Sequence, residues 1–323
     1  MNAKSLSLIL LLVIAPVFAG AADLDADKAT HKETAVLDIE FGTLTAICMS
    51  PDGELLASDA ESKVIKVISS DHKVEKEFKL SFGPEAIDVG ADGLIYCGGQ
   101  GELAVLDRKG KVLRSANIPK DAASETSRKG GRRSASRGIR VSGIAVSDKD
   151  VFVTFGSGWS LRSKAKLYRF DKDLKNPVML AEGLRGCCQR CDISVRNGYL
   201  YVAENAAHRV VKYDRDGGVV GKWGTKSRDD IKGFGSCCNP MNICFAGENG
   251  VIYTSESGMA RVKKHSLDGK FIELVGYVGT KRFERASHQA ASCSNIAIAA
   301  SQDGKSVYVM DYTANRIRLL EKQ

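Results

Sequence analysis

A short run ending in isoleucine and followed by a polar turn recurs six times along this chain of 323 residues. The six steps are Ala46-Ile47, Ala86-Ile87, Gly143-Ile144, Asp192-Ile193, Asn242-Ile243 and Asn295-Ile296, at intervals of 40, 57, 49, 50 and 53 residues. A period of this size marks an array in which no unit buries its apolar face alone and each stacks on the next. Residues 199–224 show one unit most clearly. Leu200-Tyr201-Val202, Val210-Val211 with Tyr213, and Val219-Val220 with Trp223 are apolar runs, separated by Glu204-Asn205-Ala206-Ala207 and by Asp214-Arg215-Asp216-Gly217. Runs this short, bounded by Gly, Asp and Asn, are strands.

Every isoleucine is followed by a second run, as at Leu55–Ala57, Leu94–Tyr96, Val151–Val153, Val251–Tyr253 and Val307–Val309 in the other five units. A third run lies around Val64, Val105, Leu167, Val210, Val262 and Ile317, and all but the sixth unit carry a fourth. Four strands in each of six units predict an all-β fold. It is a six-bladed β-propeller of four-stranded antiparallel blades around a channel. The chain reaches Gln323 without a fourth strand in its sixth unit, while the run Ala35–Phe41 precedes the first. That N-terminal run is expected to complete the last blade, which would pair edges that an open array leaves bare.

Residues 1–21 read as a secretory signal peptide. Lys4 is its charged start, Leu6–Phe18 its apolar stretch and Ala19-Gly20-Ala21 its cleavage site. The stretch is too short to anchor in a bilayer. The expectation is a secreted or periplasmic protein without a transmembrane anchor. Residues 22–34 are expected to be a flexible lead-in and 35–323 the propeller, with a basic loop inserted at 120–140. The formal charge is +8, and Arg128, Lys129, Arg132, Arg133, Arg137 and Arg140 supply six positive charges with no acid among them. Basicity is therefore a property of one loop. It is a candidate arm for a polyanion, or a solvated insertion. Nucleic acid is not expected, since no aromatic residues interleave these charges.

Tyr201-Val202-Ala203-Glu204 followed by His208-Arg209-Val210 resembles an NHL repeat, and so does Tyr308-Val309-Met310-Asp311 followed by Asn315-Arg316-Ile317. The first three units are degenerate versions. The broader similarity is to gluconolactonase- and regucalcin-like propellers, and fold alone does not carry their activity across. The doublets Gly186-Cys187-Cys188 and Ser236-Cys237-Cys238-Asn239-Pro240 resemble a cysteine-rich subset of bacterial exported NHL-repeat proteins.

Acid and base recur at fixed spacing as Glu204 with Arg209, Glu256 with Arg261 and Asp311 with Arg316. They are expected to be structural ion pairs across each hairpin, because a catalytic group need not recur in every blade. The nine cysteines are distributed less evenly. Cys187, Cys188 and Cys191 lead into the fourth unit, Cys237 and Cys238 into the fifth and Cys293 into the sixth. Asp192, Asn242 and Asn295 stand directly before the corresponding isoleucines. Inner strands line a propeller's channel, so this set is expected to converge at one channel mouth. Three chemistries fit it: disulfides of an exported protein, a thiolate metal site, or a redox pair at Cys188-Gln189-Arg190-Cys191 with Arg190 favouring thiolate. Cys97 is expected to be a spare thiol.

The function expected first is an exported scaffold that binds a protein or small-molecule ligand at a cysteine-rich channel mouth. The alternative is a hydrolase or lyase of the lactonase-like type. There Glu204, Glu256, Asp192, Asn242 and Asn295 would hold a divalent cation that polarises a carbonyl. A thiolate metal or redox protein, holding a thiophilic metal, is a further class.

Overall fold

The computed structural model of the chain describes residues 28–122, 139–156, 164–187, 190–236, 238–247, 250–279 and 296–323. They form six sheets of four antiparallel strands, arranged as the blades of a propeller. Blade one holds β2 (Leu44–Met49), β3 (Leu55–Asp59), β4 (Val64–Ile68) and β5 (Val74–Lys79). Blade two holds β6 (Ala86–Val89), β7 (Ile95–Gly99), β8 (Glu102–Leu106) and β9 (Val112–Asn117). Blade three holds β10 (Arg140–Val146), β11 (Asp150–Gly156), β12 (Ala165–Asp171) and β13 (Val178–Leu184). Blade four holds β14 (Ile193–Arg196), β15 (Tyr199–Glu204), β16 (Arg209–Tyr213) and β17 (Val219–Trp223). Blade five holds β18 (Asn242–Ala246), β19 (Val251–Glu256), β20 (Arg261–His265) and β21 (Phe271–Tyr277). Blade six holds β22 (Ile298–Ala300), β23 (Ser306–Asp311) and β24 (Arg316–Lys322), and its fourth strand is β1 (His31–Val36).

Burial peaks at the second strand of a blade and falls off toward its outer edge. Every residue of β3 and β11 is buried, because a neighbouring blade covers each face of these strands. Outer strands are polar, and β5, Val-Glu-Lys-Glu-Phe-Lys, buries only Phe78. Charges on such an edge discourage pairing with another chain. Cores lie between blades: Leu44, Ile47 and Leu55 of blade one pack with Tyr308, Met310 and Ile317 of blade six. Tight hairpins join the strands. Gly217 adopts φ +91°, where a side chain would be strained, and the Asp214 carboxylate accepts from the N–H of Asp216 (3.0 Å) and of Gly218 (2.7 Å).

The N-terminal strand closes the ring as expected, through pairs from His31 with Lys322 to Val36 with Arg318. It begins ahead of the run Ala35–Phe41, so residues 31–34 belong to the sheet and not to a flexible lead-in. Leu37 and Ile39 follow the strand and are buried in the core between blades six and one. The signal segment 1–21 and residues 22–27 lie outside the described residues. Within the basic loop so do Arg128, Lys129, Arg132, Arg133 and Arg137. Among the described residues no helix is long and apolar enough to cross a membrane.

Strand register corrects the sixth repeat. Ile193 pairs with Val202 and Ile243 with Thr254, each two residues before the acid that ends its strand. In blade six the residue in that place is Ile298, paired with Val309. The anchor is therefore Ile298 and not Ile296, and Ala297, not Asn295, is the counterpart of Asp192 and Asn242. A slip of two residues keeps every side chain on its original face, so alternation alone does not reveal it. The corrected register also places Cys188, Cys238 and Cys293 each five residues ahead of their anchors.

Candidate functional site

The first residues of the inner strands line one mouth of the central channel. Thr45, Glu85, Ser142, Arg190, Asp192 and Asn242 bring polar groups to it, between the small residues Ala46, Ala86, Gly143 and Ala297. Deeper along the channel come Cys48, Asp88, Ser194 and Cys244. Residues two apart on a strand share a face, which sets Cys48, Ser194 and Cys244 below Ala46, Asp192 and Asn242.

An inner strand has no further strand on its channel side, so its amides need other acceptors. Channel side chains supply them across blade boundaries. Asp192 accepts from the N–H of Ile243 (2.8 Å), Asn242 from Ile298 (3.0 Å) and Asp88 from Val146 (2.8 Å). Burial still disfavours the charged carboxylates. The Asp192 carboxyl is pushed up to about 7 by burial, with the nearby Asp88 charge adding to the effect, against backbone hydrogen bonds and Arg190. The Asp88 carboxyl is pushed up to about 6, again by burial.

Arg190 reaches this mouth from the segment leading into blade four. Its N–H donates to the Cys187 carbonyl (3.0 Å), and the Cys187 N–H donates to Oδ1 of Asn205 (2.6 Å), which is fully buried. Burial, together with the charge on Arg140, pulls the Arg190 guanidinium down to about 10. Arg140, near enough for its charge to act on Arg190, is paired with Glu85 (2.8 Å), which also accepts from the Val141 N–H (3.1 Å).

The described cysteines divide into two groups. Cys187 and Cys238 are buried in one cluster with Met241 and Ile296, so the approaches to blades four, five and six do converge there. The two cysteines belong to blade core and do not line the mouth, although Met241 of the same cluster borders it. Cys191 is also core: its thiol donates to the Ala203 carbonyl (3.5 Å) and packs beside Leu200 and Val202. It directly precedes Asp192, so strand alternation turns it away from the channel. Burial, then the Glu204 and Asp192 charges, raises its thiol well above the ordinary value, which opposes the thiolate expected for a redox pair. Cys97 and Cys191 carry free buried thiols, and the channel-lining Cys48 and Cys244 carry free half-buried ones. Cys188, Cys237, Cys293 and Asn295 lie outside the described residues.

Two of the three acid–base pairs form as expected. Glu204 binds Arg209 and accepts from the Arg185 N–H (3.0 Å). Glu256 binds Arg261 (2.9 Å) and also Lys263 (2.7 Å), and accepts from the Gly235 N–H (2.7 Å). The third pair is different. Asp311 binds Arg318 (2.8 Å), while Arg316 donates to the Ile39 carbonyl (2.6 Å). Aspartate is one methylene shorter than glutamate, and Asp311 spends its other oxygen on the N–H groups of Thr313 and Ala314 (both 3.1 Å).

These partners decide the fit of a metal. Glu204 and Glu256 are tied to cations at the hairpin ends, Asp192 and Asn242 each engage the next blade, and Ala297 replaces the supposed third ligand. Among the described residues no three His, Cys, Asp or Glu side chains form a group able to hold a metal ion. The donor set anticipated for a divalent cation does not fit.

Sequence reading missed Glu85, Asp88 and Asn205, and gave Arg190 only a supporting part. Glu85 and Asp88 flank Ala86-Ile87, a step whose residue before the isoleucine carries no polar group. Reading the neighbouring positions as well would have found them.

No family model matches the sequence, and no curated protein matches it. Solved structures share the fold. A gluconolactonase from Xanthomonas campestris superposes with a TM-score of 0.59 at 14% identity, over 92% of this chain and 96% of its own. A streptogramin B lyase does so with 0.55 at 15% identity, over 92% and 99%. Regucalcin, a calcium-binding protein from Agrobacterium tumefaciens, gives 0.55 at 14%, over 92% and 96%. At these identities the likeness concerns the fold. The broader resemblance, to gluconolactonase- and regucalcin-like propellers, holds at that level, whereas the narrower NHL assignment has no matching family.

Proposed function

We propose that the channel mouth is the site of a hydrolase or lyase that acts on a small carbonyl compound by acid–base chemistry, with Asp192 transferring the proton. The observation that carries this reading is the placement of Asp192. It is a channel-lining carboxyl held near neutrality by its surroundings, so both protonation states are populated at working pH. As a base it takes a proton from water attacking the carbonyl, or from carbon in an elimination. As an acid it returns that proton to the leaving oxygen. Asn242, whose side-chain oxygen is fixed on the next blade, keeps its amide nitrogen for donation to the substrate. The names of the structural neighbours, a lyase and a gluconolactonase, support the reaction class.

The test is proton release from a panel of lactones and esters by the wild type and by Asp192→Asn. Asparagine preserves the bond to Ile243 and removes the proton transfer, so turnover should fall by about 10²–10⁴. A second reading, a binding scaffold without turnover, is favoured by the cross-blade bonds, which give Asp192 and Asn242 a structural task. On that reading ligand binding survives Asp192→Asn and no substrate in the panel is consumed. Unchanged turnover in the variant rejects the acid–base assignment. Export belongs to the same proposal, on the strength of the leader at 1–21. The intact mass of chain recovered outside the cytoplasm checks it, and an uncleaved leader counts against it.

A further inference from the structure

We propose that the channel mouth recognises a carboxylate and that Arg190 receives it. The inference deepens the reading above, since it names the substrate class of the same site: small carbonyl compounds that carry a carboxylate.

Arg190 is placed, not merely present. The buried Asn205 holds Cys187, and Cys187 holds Arg190 through main-chain bonds. Its guanidinium lines the mouth beside Asp192 and Asn242. Among the described residues it makes no side-chain hydrogen bond and no ion pair. Other arginines around the ring are engaged: Arg140 by Glu85, Arg209 by Glu204, Arg261 by Glu256 and Arg318 by Asp311. A guanidinium offers five N–H donors in a rigid fork, and that of the half-buried Arg190 keeps contact with solvent at the mouth while no protein acceptor meets it. The fork is therefore open to an acceptor from outside.

The charged and titratable groups around it indicate what completes it. Arg140, Glu85, Tyr312 and Asp192 face Arg190. Glu85 is already spent on Arg140 and on the Val141 N–H. Asp192 lies beyond ion-pair distance and is partly protonated near neutrality. Among the described groups of the mouth, Arg190 is thus a cation without a paired carboxylate, whereas Arg140 has one. A monoanion with two coplanar oxygens matches the fork. A phosphate dianion would need further donors, and the hydroxyls nearest are committed: Thr45 donates to Pro84 and Ser142 to Thr154.

The experiment is titration calorimetry on the full chain with sodium 4-hydroxybutyrate, its neutral amide and inorganic phosphate, for wild type, Arg190→Gln and Arg190→Lys. The carboxylate should bind about 10- to 100-fold more tightly than the amide. Arg190→Gln should abolish that gap, and Arg190→Lys should keep part of it, since lysine supplies charge without the fork. Equal binding of acid and amide, no binding of either, a gap that survives in Arg190→Gln, or tighter binding of phosphate each overturns the proposal. If Arg190→Gln fails to fold, the gap in wild type decides. Turnover of neutral lactones separates the two readings. Turnover without a carboxylate preference sinks this inference and leaves the acid–base reading standing. Carboxylate binding without turnover of any lactone or ester does the reverse.

Discussion

Asp192 is costly to the fold and useful to the chemistry. Its carboxyl, like that of Asp88, titrates above the ordinary value of 3.8, so between about pH 4 and 7 the native state keeps protons that the unfolded chain has released. Stability from these groups is full below that window and is lost as pH rises through it. Asp192→Asn should therefore stabilise the protein at pH 8 by about 1–3 kcal/mol and leave it unchanged at pH 4. Urea melts at both pH values measure this, and a gain of equal size at pH 4 would mean another cause. The same substitution removes activity on the acid–base reading, a trade of function for stability. Blade five has made the exchange already, with Asn242 in the equivalent place. Glu256 makes the opposite case. It faces Arg261 and Lys263, side chains 4% and 0% exposed, and burial lowers Lys263 to about 8. Glu256→Gln strips two buried cations of their counter-charge and should cost about 3–5 kcal/mol. Glu204→Gln should cost nearer 1 kcal/mol, because its partner Arg209 is 35% exposed. Similar losses in the two variants would refute this ranking.

Strands were the legible elements. Short β-branched and aromatic runs between turn clusters locate the inner and middle strands, because these have to bury themselves against a neighbouring blade, and the more polar outer strands are found by their place in the repeat. The closing strand was legible from a run left without a repeat of its own, although its start at His31 was not. His31 and Glu33 are polar and enter the sheet through partners distant in sequence: His31 meets the Gly304 carbonyl (2.9 Å) and Glu33 the Arg318 guanidinium (2.6 Å). The sixth inner strand was misplaced by a slip that alternation cannot register. The site was less legible than the strands for a related reason. Glu85, Asp88 and Arg190 occupy positions that carry other residue types in other blades, so repetition, which exposes the fold, conceals them. At this scale one test concerns closure. Removing residues up to Val36 bares β24 along its length. The shortened chain should melt over a broader range and aggregate, as followed by calorimetry and light scattering. An unchanged, cooperative transition would show that β1 is dispensable.

Across the whole molecule every junction between adjacent blades carries a side-chain hydrogen bond. Thr45 reaches Pro84 (2.6 Å), Asp88 reaches Val146, Thr154 reaches Cys191 (2.6 Å), Asp192 reaches Ile243, Asn242 reaches Ile298, and Asn315 reaches Phe41 (2.6 Å). The last of these crosses between the end of the chain and its beginning. Within blade six the Gln323 N–H also donates to the Thr30 carbonyl (3.0 Å). A ring sewn at every seam has no preferred first blade. Translation must start somewhere, but the finished structure holds no memory of where. A gene rewired to begin at Ile139, with a short glycine-serine bridge joining Gln323 to Thr30 and a new end at Ala122, should yield the same propeller with its channel intact. Matching melting curves for the rewired and native chains would establish that the order of synthesis is incidental to the architecture. Failure to fold would show that blade six has to be closed by an incoming strand after the other five are in place.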